Sequence, residues 1–231
     1  MEGLTLEKKR SLAQKINIMR AAVMGANDGI LSVAGIVIGV AGATDNNYAI
    51  FLAGIAGMLA GTVSMAMGEY VSVNAQKDAQ KKAIIQQESA LSLNYSGEVA
   101  YVKNKYMSKG IQPELAARAA SEMMKKNALL TSVRERFGFD INEFTSPYAA
   151  ALSSMISFPL GSILPLLAIT LLPESIKVFA TFISVVIALA ITGFIAAVLG
   201  NSNRRNSVMR NTVSGILTML VTYGIGILIG R

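Results

Sequence analysis

The chain has 231 residues, of which 52% are hydrophobic and only 15% charged, against about 25% charged in an average soluble domain; its mean hydropathy is +0.48. This balance excludes a disordered chain and argues against an ordinary soluble domain. With no Cys and no His, disulfides, thiolate metal sites, imidazole ligands and Ser-His-Asp relays are excluded as well.

Stretches 21–43, 48–68, 147–172, 178–200 and 212–230 hold one charged residue between them, Asp28. A membrane-crossing helix needs roughly 20 mostly apolar residues, and five segments qualify. They run from about Arg20 to Ala43, Tyr48 to Val73, Pro147 to Leu172, Lys177 to Gly200 and Arg210 to Gly230. Polar residues 1–19 precede the first, and it exceeds the apolar core of a signal peptide, so it is expected to stay as a span. The expected division is a cytoplasmic N-terminal segment (1–19), two spans (20–73), a cytoplasmic helical domain (74–146) and three spans (147–231), an all-α polytopic membrane protein.

Net charge +7 would suggest nucleic acid in a soluble protein, but here it reads as orientation, and no nucleic-acid partner is expected. A cytoplasmic N-terminus keeps Lys8, Lys9, Arg10, Lys15, Arg20, Arg204, Arg205, Arg210 and all eleven basic residues of 74–146 inside, leaving only Lys177 and Arg231 outside. The positive-inside rule favours that arrangement.

In the insert, 74–93 can extend the second span as helix, since no Pro or Gly interrupts it. Asn94–Gly97 reads as a break. Helices are then expected over 98–109, ended by Gly110, and from about Pro113 to about Asn127, ahead of Thr131–Phe137.

Asp28 is the costly residue. A charge at the centre of a spanning helix costs about 2.5–3.5 kcal/mol on insertion scales. It is read either as a cation or proton site facing the bundle interior, or as a carboxylate near the headgroups paired with Arg20 or a backbone group. In the second span, helical spacing puts Met58, Thr62, Met65, Glu69 and Ser72 on one face. Counting rise per residue sets Asp28 and Met65 at similar depth, with Glu69 a turn nearer the cytoplasm. Carboxylate oxygen with thioether sulfur suits Fe²⁺ or Mn²⁺ better than Mg²⁺ or Ca²⁺. The pairs Gly25/Gly29, Gly35/Gly39, Gly57/Gly61 and Gly226/Gly230 suit close helix packing or dimerisation. Pro159 and Pro165, among serines of the third span, suit either a broken helix lining a transport path or a structural kink.

The stretches Gly25-Ala-Asn-Asp-Gly-Ile-Leu-Ser32, Ser64-Met-Ala-Met-Gly-Glu-Tyr-Val-Ser-Val73, Pro159-x-Gly-x-x-x-Pro-Leu166, Gly200–Arg205 and Thr222-Tyr-Gly-Ile-Gly226 together resemble the vacuolar iron transporter family. The resemblance implies a homodimeric exchanger moving Fe²⁺ or Mn²⁺ out of the cytosol against protons, with the ion as substrate and no cofactor. It implies Asp28 and Met65 as in-membrane ligands and Glu69 as a carboxylate passing cation or proton. It implies a vacuolar membrane in a eukaryote or the cell membrane in a prokaryote. Iron-binding relatives carry several Glu in the insert; the matching positions here read Gln87, Ala90, Glu98, Tyr101, Met123, Met124 and Asn127. That leaves Glu98, Met123 and Met124 as weak ligands, or the insert as a dimerisation and gating element. The alternative function is a non-transporting membrane protein whose basic cytoplasmic helices, with Lys81, Lys82, Lys103 and Lys105, bind a partner or anionic lipid. An intramembrane enzyme finds no nucleophile with a base in the chain.

Overall fold

The computed structural model describes residues 12–230; Lys8, Lys9, Arg10 and Arg231 of the charge argument lie outside them. The described residues form eight helices and no strand: α1 (Leu12–Ala43), α2 (Asn47–Leu93), α3 (Tyr95–Ser108), α4 (Pro113–Lys126), α5 (Ala128–Phe137), α6 (Pro147–Leu171), α7 (Lys177–Leu199) and α8 (Arg204–Ile229). Helices α1, α2, α6, α7 and α8 are long and apolar enough to cross a membrane. The chain divides into two compact units, one of Lys15–Ser72 with Ser146–Arg231 and one of Val73–Thr145 with the segment up to Gln14.

The spanning unit is built around α1 and α6. Each buries 44% of its most apolar stretch, against 17% for α2 and α8 and 22% for α7, whose outer faces carry exposed Leu, Ile, Val and Phe as lipid demands. The core gathers Val33, Val37 and Ile38 of α1, Ile50 of α2, Phe158 and Ile169 of α6, Val185 and Leu189 of α7 and Met219 of α8. Glycines allow the close crossings: a methyl on Gly29 would strike the Phe158 carbonyl, one on Gly161 the Ala26 carbonyl, and one on Gly226 the Gly39 carbonyl. Serine hydroxyls tie α6 to α1, with Ser154 donating to the Ala21 carbonyl at 3.3 Å and Ser162 to the Gly29 carbonyl at 3.2 Å. These residues spend the small and polar positions of α6 on packing. Pro159 and Pro165 do not break it; α6 is one helix through both, so the broken-helix expectation is corrected.

The spans match expectation, but α1 begins at Leu12 and α8 at Arg204, each before its apolar stretch. Hydropathy marks where lipid begins, whereas helix begins wherever backbone bonds can close. Asn46 accepts from the Tyr48 and Ala49 amides and so starts α2, while Lys177 is buried and donates to Asn47 Oδ1 at 2.6 Å.

In the other unit, α2 continues as helix to Leu93. The break beyond it is a single residue, not four: Asn94 caps α3 by accepting from the Gly97 amide at 2.8 Å, which brings Gly97 into the first turn. Val102, Tyr106, Ala116, Ala120 and Met124 form the core of this unit. Gly110 (φ 89°) and Gly138 (φ 77°) take the left-handed conformation that ends α3 and α5.

Candidate functional site

Because α1 lays Ala21, Gly25 and Gly29 against its neighbours, the residue before Gly29 is rotated away from the core by about 100°. Asp28 therefore lies on an exposed face of the spanning unit, in one stripe with Ile16, Arg20 and Met24. This corrects the expectation that it faces the bundle interior. Its described partner is the Ser32 hydroxyl, which donates to Oδ1 at 3.0 Å. The pairing with Arg20 is not formed either. Arg20 donates to Asn17 Oδ1 and, across to α2, to Glu69 Oε2 at 3.2 Å. Asn27 turns the other way and accepts from Asn211 Nδ2 at 3.0 Å and Thr192 Oγ1 at 3.3 Å.

Glu69 is buried, at 5% exposure, so the half-exposed guanidinium of Arg20 supplies its counter-charge. Met65 is partly buried against the core. Helices α1 and α2 are antiparallel, with two fixed points: Arg20 meets Glu69, and Phe158 fills the space facing both Gly29 and Gly61. Counted from these, Met65 stands within about one turn of Asp28 along the helix axis. Among the described residues no hydrogen bond joins Asp28 to Glu69, and no three acidic side chains gather as a metal site. The sequence reading missed Met24. Its signal was the four-residue spacing to Asp28, which stacks a thioether below the carboxylate on one helical face.

The insert brings its candidates together differently. Glu98 accepts from Gln87 Nε2 at 2.6 Å, and both its oxygens accept from Arg136 Nη2 at 2.9 Å. The Arg136 guanidinium lies 3.9 Å over the Tyr101 ring. Met123 Sδ accepts from the Tyr106 hydroxyl at 3.1 Å, and that hydroxyl also lies 3.3 Å from Glu135, which pairs with Lys109 at 2.9 Å. Burial pushes the Tyr106 phenol up from its ordinary range, and the Glu135 carboxylate adds to the shift. Met124 is fully buried in the core, and Asn127 caps α5 through the Leu130 amide. A fixed guanidinium thus occupies the carboxylate that a metal would need.

Five apolar helices, an acidic residue on the first and a helical insert after the second set the frame for comparison. Residues 19–227 match the VIT family. The chain belongs to that family. It is 33% identical over 223 residues to the vacuolar iron transporter of Acanthamoeba castellanii, covering 96% of this chain and 82% of that protein. It is 32% identical over 225 residues to vacuolar iron transporter homolog 3 of Arabidopsis thaliana, covering 97% and 89%, and 34% identical over 208 residues to vacuolar iron transporter homolog 1 of Oryza sativa subsp. japonica, covering 90% and 72%. As a VIT family member with five apolar helices, the protein is a membrane protein, and the match takes in Met24, Asp28, Met65 and Glu69 together with the insert.

Proposed function

We propose that this protein is a secondary transporter that carries a divalent transition metal, Fe²⁺ first and Mn²⁺ second, out of the cytosol in exchange for protons. Family membership supports metal transport. The single observation that carries the finer reading is Asp28, an exposed carboxylate within an apolar helix whose partner among the described residues is a hydroxyl. Facing lipid, it would cost about 2.5–3.5 kcal/mol. A second copy meeting it across the same α1 face removes that exposure and sets two Asp28 carboxylates and the Met24 thioethers around one cation path. We therefore read the functional unit as a homodimer. Two like carboxylates repel each other unless a proton or a cation lies between them. Occupancy by H⁺ and by M²⁺ is then mutually exclusive, and that competition couples the two fluxes. Met65 and Glu69 line the approach from α2, with Arg20 holding Glu69 until a cation or proton displaces it. The reading keeps the N-terminus and the α3–α5 insert cytoplasmic, in a vacuolar membrane if the host is eukaryotic and in the cell membrane if it is prokaryotic. It involves no catalysis.

The test is uptake of Fe²⁺ or Mn²⁺ by proteoliposomes under an imposed pH gradient. Gradient-dependent uptake that falls at least tenfold in Asp28→Asn is expected. Uptake unchanged by that substitution removes the reading.

The alternative is a membrane protein that does not transport and whose insert binds a partner or anionic lipid. It is favoured by one observation, the occupation of Glu98 by Arg136. It requires loss of activity on neutralising Lys81, Lys82, Lys103 and Lys105, with Asp28→Asn silent.

A further inference from the structure

Between α1, α7 and α8 of the spanning unit lies a cavity of about 510 Å³ whose lining includes Arg20, Met24, Asn27, Leu199, Arg210 and Asn211 and no acidic residue. On the adjoining face of α8, the exposed side chains of Met209, Val213 and Leu217 form an apolar strip beyond Arg210. The Asn27–Asn211 bond and the Gly39–Gly226 contact show that α1 and α8 run in parallel. Arg20 therefore stands near the level of Arg204, and Arg210 lies about six residues further into the span. Arg210 is exposed, and no carboxylate pairs with it among the described residues. Arg20 commits Nε and Nη2 to Asn17 and Glu69, leaving Nη1 without a partner among the described residues.

Two guanidiniums at the charged end of a spanning unit, converging on a cleft with an apolar floor, attract an anion that carries its own hydrocarbon. A guanidinium forks onto phosphate oxygens, and an uncompensated arginine this far along a spanning helix is stabilised by such a partner. The apolar strip beyond it suits contact with an acyl chain. We propose that this cleft binds an anionic glycerophospholipid, with Arg210 and the free Nη1 of Arg20 on the headgroup phosphate and one acyl chain along Val213 and Leu217. Bound lipid lies against the Asn27–Asn211–Thr192 network that joins α1 to α7 and α8. The site shares Arg20 and Met24 with the α1 stripe that carries Asp28 and is set apart from the cation path by Arg210 and by the sign of its charge.

The test is native mass spectrometry of the full chain in detergent, titrated with phosphatidylglycerol or phosphatidylcholine. Wild-type protein, Arg210→Gln, Arg210→Lys and, as a surface-charge control, Arg205→Gln are compared. Size-exclusion elution and circular dichroism report folding. Retention of phosphatidylglycerol at least tenfold over phosphatidylcholine is expected, lost in Arg210→Gln, partly kept in Arg210→Lys and unchanged in Arg205→Gln. Four results would overturn the proposal: equal retention of the two lipids, full retention in folded Arg210→Gln, equal loss in Arg205→Gln, or displacement of the lipid by millimolar inorganic phosphate. A fall in dimer content in Arg210→Gln with lipid retention unchanged would overturn it too, assigning the cleft to a second copy of the chain.

Discussion

In the unit of residues 73–145, Glu98 lies between Gln87 and Arg136 and Glu135 holds Lys109, whereas in the spanning unit the partner of Asp28 among the described residues is the Ser32 hydroxyl. Glu69 stands between these cases, buried like a structural acid yet paired with a half-exposed arginine. The contrast teaches where a mobile cation can be handled. A carboxylate that already holds a guanidinium must give it up before it binds metal, and a divalent ion then gains little over the cation it replaces. A carboxylate in apolar surroundings with a neutral partner has its charge unspent. On the proposed reading, cation handling falls to α1, where Asp28 has no cationic partner among the described residues.

The contrast can be broken most forcefully at Arg20. Arg20→Gln leaves Glu69 buried without its counter-charge. The expected loss of stability is about 2 kcal/mol, below the roughly 3–5 kcal/mol of a fully buried pair because the guanidinium is half exposed. Thermal unfolding in detergent measures it, and Arg20→Lys should restore part. No loss would mean that Glu69 does not depend on the pair.

Arg136→Gln sharpens the contrast from the other side. It frees Glu98 and removes the guanidinium from Tyr101, at a cost of about 1–2 kcal/mol. The variant, unlike wild type, should gain a Mn²⁺-dependent rise in unfolding temperature. A rise of equal size in wild type would show that Arg136 does not block the site.

The smallest expected effect is at Tyr106, whose phenol is raised by burial and then by Glu135. With the folded value above the unfolded value of about 10, the stability linked to its proton is complete below pH 10. It is lost as pH climbs through the folded value. Tyr106→Phe should therefore lose less stability than wild type between pH 9 and pH 11, by under about 1 kcal/mol. Parallel pH profiles would contradict this.

The five spans were legible because lipid selects for length and hydropathy, which read directly from residues such as those of 178–200. The ends of α1 and α8 were not, because the helical backbone continues through polar residues such as Gln14 and Asn206 that no hydropathy window counts. Asp28 was legible as a costly residue, but not the way it faces. Its direction follows from Gly25 and Gly29 taking the α6 side, which needs α6 in place. The partners of Glu69 and Glu98 lie 49 and 38 residues away in the chain, a separation that no local spacing rule reaches. Met24 was within reach, one helical turn before Asp28.

The most direct test of where cations are handled is a Mn²⁺ binding titration of the full chain, followed by electron paramagnetic resonance, for wild type, Asp28→Asn and Glu98→Gln. Loss of at least tenfold in affinity in Asp28→Asn, with Glu98→Gln unchanged, is the expected result. Binding that survives Asp28→Asn and falls in Glu98→Gln would contradict the account.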